Sequence, residues 1–195
     1  MNTKYELVAV DRVTLTDGNT LCRIRALTDV PEAGVKAGDL GGYIRSQDNL
    51  AYTGNAWVSG NARVSGNARV FGNAQVSGDA LVSGDAQVFG NARVFGNAQV
   101  SGDALVSGDA RVFGNTNILL IGPIGSRGAT LTAHSDAKLG VRLCTGCFSG
   151  DRDAFEQAVT HTHGDSPHGN AYAAALLLID LLVEATKVRP AWRIK

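Results

Sequence analysis

The middle of the chain repeats one pattern of apolar and polar positions every six residues. Residues 54–113 are ten unbroken hexads, each reading Gly, Asn or Asp, Ala, a variable residue, Val, and then Ser or Phe. Ala and Val lie two positions apart, so on an extended segment they point to one side and the variable residue points to the other. The Gly and the Asn or Asp tolerate the left-handed backbone region that a corner needs. The pattern predicts stacked short strands with Ala and Val inside.

Six residues per side, with one small and one branched residue facing inward, resembles the hexapeptide repeat of left-handed β-helices, whose three-sided coils take three hexads. The resemblance extends to about Leu119, because an eleventh hexad at 114–119 departs from the pattern. It implies a left-handed parallel β-helix, called the rod below, which needs a cap of non-repeating sequence at each end.

A duplication inside the rod bears on its role. Residues 70–91 recur at 94–115 with one change, Gln87 in the first copy and Arg111 in the second. The copies are four hexads apart whereas a coil takes three, so corresponding residues fall on different faces. Such a duplication would scramble a ligand-binding column on one outer face but would leave an interior of Ala and Val intact. We therefore expect the rod to be mostly scaffold.

The amino-terminal flank predicts a cap for the rod. Residues 1–30 alternate apolar and polar positions around 16–19, where Asp17 and Gly18 form a turn typical of a β-hairpin. Residues 35–44 contain three glycines and predict a loop that leads into the rod.

The carboxyl-terminal flank predicts a small α/β domain. Strands are expected near 118–121, 130–134 and 141–143, and a helix opens at Asp151. A second helix is expected at about 171–187. This second helix carries alanine or aliphatic residues on almost every side. We therefore predict that it is buried in a homo-oligomer, a trimer or a dimer.

The predicted fold class is thus mainly β: a left-handed parallel β-helix of hexapeptide repeats with an amino-terminal β-hairpin cap and a carboxyl-terminal α/β domain. The predicted boundaries are 1–47 for the hairpin and cap, 48–119 for the rod, and 120–195 for the α/β domain with its oligomerising helix.

The net charge, the apolar segments and the cysteines indicate which partners and which cellular location to expect. Eighteen basic and eighteen acidic side chains give a formal net charge of zero, so we expect no nucleic-acid polymer and no membrane as a partner. The amino terminus lacks an apolar signal segment, and the longest apolar run, 171–183, is too short to span a bilayer. Three cysteines fit a reducing compartment, so we expect a cytoplasmic protein.

A glycine-rich loop offers the best candidate for ligand binding. Residues 122–128, Gly-Pro-Ile-Gly-Ser-Arg-Gly, place backbone amides beside a hydroxyl and a guanidinium, which suits a phosphate or carboxylate. A tight turn with a solvated arginine is an equally good interpretation. The polar break at 163–170 could form the other wall of a pocket or merely cap two helices. The residues predicted to bind the ligand are Ser126, Arg127, Thr130, His163, Gly164 and His168.

Metal and nucleophile chemistry are weaker hypotheses. Cys144, Cys147, His161 and His163 could complete a zinc tetrahedron, but the His-x-His spacing is not that of a common finger, and both cysteines could be packed as small hydrophobes. A Cys147 nucleophile with His163 as base lacks a third, orienting residue. We therefore expect no metal and no cofactor.

Three further segments carry a resemblance. Residues 21–44 are similar to the leader of bacterial and bacteriophage hexapeptide-repeat proteins of acyltransferase type. Residues 121–133 and 146–164 are similar to a tail domain of phage and prophage proteins of unassigned function. The acyltransferase resemblance implies a histidine base near a coil edge and a groove for a pantetheine arm, yet all four histidines follow the rod.

The sequence therefore favours a non-catalytic binding protein of phage type, located in the host cytoplasm. Its predicted ligand is a small anionic, nucleotide-like molecule, and the resemblance suggests that it sequesters a signal of host immunity. A hexapeptide-repeat acyltransferase and a purely structural spacer are the alternatives.

Overall fold

The computed structural model describes residues 2–114 and 117–187 of the chain. Its amino-terminal part is an antiparallel hairpin of β1 (Tyr5–Thr14) and β2 (Thr20–Ala26), as the alternation predicts. A short 3-10 turn at Pro31–Ala33 follows, and then β3 (Leu40–Ile44) pairs antiparallel with β2.

The strand β3 lies where the sequence predicts only a loop. It also pairs in parallel with the first coil of the rod, joining Tyr43 to Arg63. Its two glycines allow this contact, because a Cβ on Gly41 or Gly42 would lie 2.6 Å from a carbonyl oxygen of the neighbouring coil. These glycines let two backbones approach closely and do not form a bend. The loop that the sequence predicts from them is therefore wrong.

The rod is a three-sided stack of parallel strands, which confirms the predicted fold class. Each strand up to residue 95 pairs in register with the strand eighteen residues further on, as Arg63 does with Leu81. The strands are β4 (Trp57–Val58), β5 (Arg63–Val64), β6 (Arg69–Val70), β7 (Gln75–Val76), β8 (Leu81–Val82), β9 (Gln87–Val88), β10 (Arg93–Phe95), β11 (Gln99–Val100), β12 (Leu105–Val106) and β13 (Arg111–Phe113). One face continues the amino-terminal sheet in the order β1-β2-β3-β5-β8-β11, the second is β13-β10-β7-β4, and the third is β12-β9-β6.

The interior of the rod holds the alanine and valine of every hexad, all of them fully buried or nearly so. Each hexad turns its corner at a glycine with a positive φ, such as 64° at Gly66. The corner side chains also form ladders along the rod: the Asn55 amide donates to Asn73 at 3.0 Å, and the Asn73 amide donates to Asn91 at 3.1 Å. Neighbouring coils therefore stabilise each other through the buried side chains, the strand pairing and the hydrogen bonds between corner side chains.

The duplicated segments lie on different faces, as the four-hexad offset predicts. Gln87 lies on the three-stranded face and Arg111 on the four-stranded face. Two pairs of rings show the same difference of face: Phe71 and Phe89 stack with ring centroids 4.9 Å apart, and Phe95 and Phe113 lie tilted with centroids 5.1 Å apart.

After the rod, four antiparallel strands pair in chain order: β14 (Ile118–Ile124), β15 (Ala129–Asp136), β16 (Gly140–Thr145) and β17 (Phe148–Gly150). The sequence predicts the first three and misses β17. The helix α1 (Arg152–His163) begins after Asp151, whose carboxylate accepts a hydrogen bond from the Ala154 amide at 2.8 Å. The helix α2 (Pro167–Lys187) begins earlier than predicted, because proline suits the first turn of a helix.

The two helices share a second hydrophobic core with the sheet. Strand residues such as Leu131 and Leu143 pack there with Phe155 of α1 and with Tyr172, Leu176 and Ile179 of α2. The opposite side of α2 leaves Leu177, Leu178, Leu181 and Leu182 exposed, at 38–65% of their full area. The homo-oligomer that the sequence predicts from this helix stays a prediction.

The last coil of the rod is closed by one face of β15. Three backbone amides of that coil have no further coil to donate to, and they donate to alternate side chains of β15 instead. These bonds are Leu105 to Thr132 Oγ1 at 3.0 Å, Ser107 to His134 Nε2 at 3.4 Å, and Asp109 to Asp136 Oδ2 at 3.2 Å. Because side chains alternate along a strand, the other face of β15 sends Leu131 and Ala133 into the second core.

Candidate functional site

The loop between β14 and β15 forms one wall of a cavity. Gly125 and Gly128 have φ of 72° and 59°, and the Gly128 amide donates to the Gly125 carbonyl at 3.2 Å, which closes the turn. Ser126 and Arg127 at its tip are exposed. A Cβ on Gly125 would collide with the Tyr172 hydroxyl, so this glycine lets the loop lie against α2.

The other walls come from the turn between β16 and β17 and from both helices. The cavity has a volume of about 200 Å³, and its polar lining includes Ser126, Arg127, Cys147, Thr162 and His163. Segments more than thirty residues apart in the chain therefore contribute to one concave surface.

A chain of aromatic rings runs beneath this surface. Centroids are 5.1 Å apart for Phe148 and Phe155, 5.4 Å for Phe155 and Tyr172, and 5.7 Å for Tyr172 and His163. The first two pairs meet edge to face, a favourable geometry for aromatic rings. The wall is thus largely apolar and held by ring packing, with its polar groups towards the rim.

Two polar groups at the cavity are without an intramolecular partner among the described residues. Arg127 makes no ion pair or hydrogen bond there. The hydroxyl of Thr145, on the wall beside Cys147, is buried and has no hydrogen-bond partner. The unpaired guanidinium of Arg127 beside an apolar wall suits a ligand that has both an anionic and an apolar part.

The residues predicted for ligand binding are partly brought together. Ser126, Arg127 and His163 line the cavity, whereas Thr130, Gly164 and His168 do not. Gly164 ends α1, where its amide donates to the Thr160 carbonyl at 3.0 Å, and the exposed His168 ring lies 6.0 Å from that of His163. The binding role of all six stays a prediction.

The aromatic wall is not among the features that the sequence predicts, and neither Phe148 nor Tyr172 belongs to the predicted site. The available signal was composition: the chain has only six phenylalanines and four tyrosines, and these two lie in segments that otherwise carry small or aliphatic residues.

The proposed zinc ligands are separated. Cys144 is buried towards the rod, with its Sγ 3.5 Å from the hydroxyls of Ser107 and Ser149 and 3.9 Å from His134 Nε2. Cys147 and His161 are exposed, and Cys147 lines the cavity. Within residues 2–114 and 117–187, no group of three or more His, Cys, Asp or Glu side chains is placed to hold a metal ion.

A buried polar cluster of Thr132, His134, Ser135 and Asp136 lies at the end of the rod. Burial lowers the pKa of His134 to about 4, so the ring is neutral near pH 7. A neutral ring can accept the Ser107 amide at Nε2 while Nδ1 donates to the Ser135 carbonyl at 3.2 Å. Burial opposes ionisation of Asp136, but its hydrogen bonds with Arg142 and two backbone amides outweigh this and lower the pKa of Asp136. The cluster serves as a cap for the rod.

Geometry and comparison agree on the class of the rod. A three-sided stack of parallel strands with a hexad repeat is a β-solenoid, and a family model described as the YdcK beta solenoid repeat matches residues 56–72, 62–76, 74–88, 86–102 and 98–114. These matches lie within the rod and leave out both flanks, including the cavity. No curated protein matches the chain. None of the helices in the described ranges is long and apolar enough to cross a membrane.

Proposed function

We propose that the carboxyl-terminal unit, residues 118–187, binds a small anionic ligand that has an aromatic or apolar part, and that the rod supports this unit. The observation that carries the proposal is the cavity itself, where Ser126 and Arg127 from one loop meet His163 from the end of α1 over an aromatic wall.

The size and lining of the cavity favour a particular kind of ligand. A volume of about 200 Å³ lies below the usual range for drug-sized ligands, roughly 300–1,000 Å³, so it suits a small molecule or one end of a larger one. The rings of Phe148 and Tyr172 favour a planar apolar group. Arg127 at the rim offers a guanidinium fork, which pairs well with phosphate or carboxylate. A mononucleotide has both groups, and it would place its base in the cavity and its phosphate on Arg127.

We propose binding rather than catalysis. Cys147 and His163 both line the cavity, but no hydrogen bond joins them in the part of the chain that the structure describes. A cysteine nucleophile needs its base within hydrogen-bond reach. Acyl transfer on the rod would need a base on a coil edge, and the hexads contain no histidine.

The finer version of the proposal rests on the resemblance of residues 21–44, 121–133 and 146–164 to phage-type proteins. In that version the protein acts in the host cytoplasm, where Cys22, Cys144 and Cys147 stay reduced, and its ligand is a nucleotide signal of host immunity that it sequesters.

The test is calorimetric titration of the full chain with AMP and, separately, with adenosine. We expect AMP to bind more tightly than adenosine, because only AMP carries a charge for Arg127. Replacing Arg127→Ala should remove that difference, weakening AMP binding by about 10- to 100-fold, or roughly 1.5–3 kcal/mol, with little effect on adenosine.

The matched control is Arg63→Ala, which removes an exposed arginine from the rod instead. It should leave AMP binding within about twofold of the wild type. Equal AMP affinity in the wild type and Arg127→Ala, with unchanged melting temperatures, would remove Arg127 from the site. Absence of binding by both AMP and adenosine would contradict the nucleotide form of the proposal.

A further inference from the structure

A second concave surface lies on the four-stranded face of the rod. It is a groove of about 500 Å³ between the amino-terminal cap and the turn after β15. The outward side chains of β7, β10 and β13, namely Gln75, Arg93 and Arg111, form its floor. Its ends are Glu32, whose carbonyl accepts a hydrogen bond from Gln75 at 2.7 Å, and Lys138.

Two arginines lie directly side by side in this groove. Arg93 and Arg111 occupy adjacent strands in register, and both are exposed. Neither makes an ion pair within the described ranges. Among the outward positions of the described rod strands, theirs is the one pair of like charges placed directly opposite each other. Such a pair destabilises a sheet unless something compensates the charge.

The duplicated segment shows that the arginine pair arises from the one difference between its two copies. Its two copies, 70–91 and 94–115, differ at one position, and that difference places Arg111 beside Arg93 where the other copy has Gln87. Glutamine at this point of a hexad is compatible with the fold, as Gln87 shows. A scaffold alone has no need of the charge, whereas a binding site for an anion does.

The remaining charges around the groove favour an anion of modest size. Asp109 lies at the rim, but Lys138 pairs with it at 2.5 Å and the Asn91 amide donates to it at 3.1 Å, so its charge is largely compensated. With Glu32 counted, the lining of the groove keeps an excess of one positive charge. The volume lies within the usual range for small-molecule sites.

We propose that this groove binds a small phosphorylated molecule whose phosphate is held jointly by Arg93 and Arg111. A single guanidinium fork already satisfies the two oxygens of a carboxylate. A phosphate has further oxygens and a second negative charge, so it can accept from two neighbouring guanidiniums at once. This site is separate from the cavity at Arg127 and does not depend on it.

The test is an NMR titration of the ¹⁵N-labelled full chain with pyrophosphate, with succinate as the carboxylate comparison. We expect saturable shifts of the backbone amides of β10 and β13 with pyrophosphate and at most weak ones with succinate. Arg111→Gln should weaken pyrophosphate binding at least about tenfold. Arg63→Gln, which removes the same charge from another face, should change it less than about twofold.

A melting experiment separates a binding role from a structural one. Without ligand, Arg111→Gln should be at least as stable as the wild type, because the variant relieves the repulsion from Arg93. Saturating pyrophosphate should raise the melting temperature of the wild type and of Arg63→Gln more than that of Arg111→Gln. Non-saturating shifts, equal affinity in Arg111→Gln and Arg63→Gln, or a ligand-free Arg111→Gln that melts well below the wild type would each overturn the proposal.

Discussion

The inner coils of the rod and its last coil satisfy the same backbone amides by different means. In an inner coil, the Arg63 amide donates to the Ala80 carbonyl at 2.9 Å, and the Ser65 amide to the Val82 carbonyl at 2.9 Å. In the last coil, the Leu105 and Ser107 amides donate to side chains of Thr132 and His134. A hydroxyl oxygen and a ring nitrogen thus replace two backbone carbonyls.

The difference shows which backbone amides a repeating sequence can pair and which it leaves without an acceptor. Each inner coil is bound by a neighbour of nearly the same sequence, so one hexad pattern satisfies every coil between the ends. The last coil has no such neighbour, and an amide buried there without a partner would cost about 1–3 kcal/mol. Non-repeating sequence must therefore supply acceptors at the spacing of a strand, which Thr132, His134 and Asp136 do.

The largest expected effect comes from changing the length of the rod. Deleting residues 78–95, one full coil, joins equivalent points, so Gln75 would pair with Arg111 as it now pairs with Arg93. We expect this variant to fold and to melt within about 10 °C of the wild type. Deleting only residues 78–80 removes a corner glycine and the inward Ala80, and should cost more than about 4 kcal/mol.

Thermal unfolding followed by circular dichroism measures both variants. If the three-residue deletion melts as high as the eighteen-residue one, neighbouring coils do not determine each other's stability, and the contrast between inner and last coils loses its basis.

A smaller effect is expected from acid, and it should arise at the last coil. The folded-state pKa of His134 is about 4, below its ordinary value of 6.5, so the unfolded chain binds the proton more tightly. The stabilisation by the neutral ring is complete above pH 6.5 and is lost as the pH falls towards 4. We expect His134 to account for a loss of about 3 kcal/mol in the free energy of unfolding between pH 7 and pH 4.

Urea titrations at several pH values test this, with His134→Gln as the control. The glutamine carbonyl can still accept the Ser107 amide but does not titrate. Acidic groups contribute to both proteins, so the difference between their pH profiles isolates His134. Parallel profiles between pH 7 and pH 4 would mean that the ring is not held neutral at the end of the rod.

The sequence was most informative where it repeats. Ten hexads predict the inward residues and the corners, because the same pattern recurs ten times. Single segments were harder: Gly41 and Gly42 indicated a loop, yet they lie in a strand whose backbone approaches the first coil closely. The capping role of Thr132, His134 and Asp136 could not be foreseen, since it depends on which face of β15 meets the rod.

The candidate site shows the same limit. Ser126, Arg127 and His163 could be selected by residue type, because glycine-rich loops with arginine and polar breaks near histidine suit anions. Their approach to one another depends on how β14, β15 and α1 pack, and no local pattern encodes that. The aromatic wall of Phe148, Phe155 and Tyr172 arises from the same packing.

The central claim is that ligand binding takes place at the cavity of the carboxyl-terminal unit, and Cys147 offers a direct measurement. Cys147 is exposed and lines the cavity, while Cys22 lies in β2 of the amino-terminal sheet and does not line it. The rates at which iodoacetamide alkylates each cysteine can be followed peptide by peptide in one sample. With AMP at about ten times its dissociation constant, we expect alkylation of Cys147 to slow about tenfold, because roughly one site in ten remains free, and that of Cys22 to stay unchanged. An unchanged rate at Cys147 under those conditions, or equal slowing at both cysteines, would contradict the account.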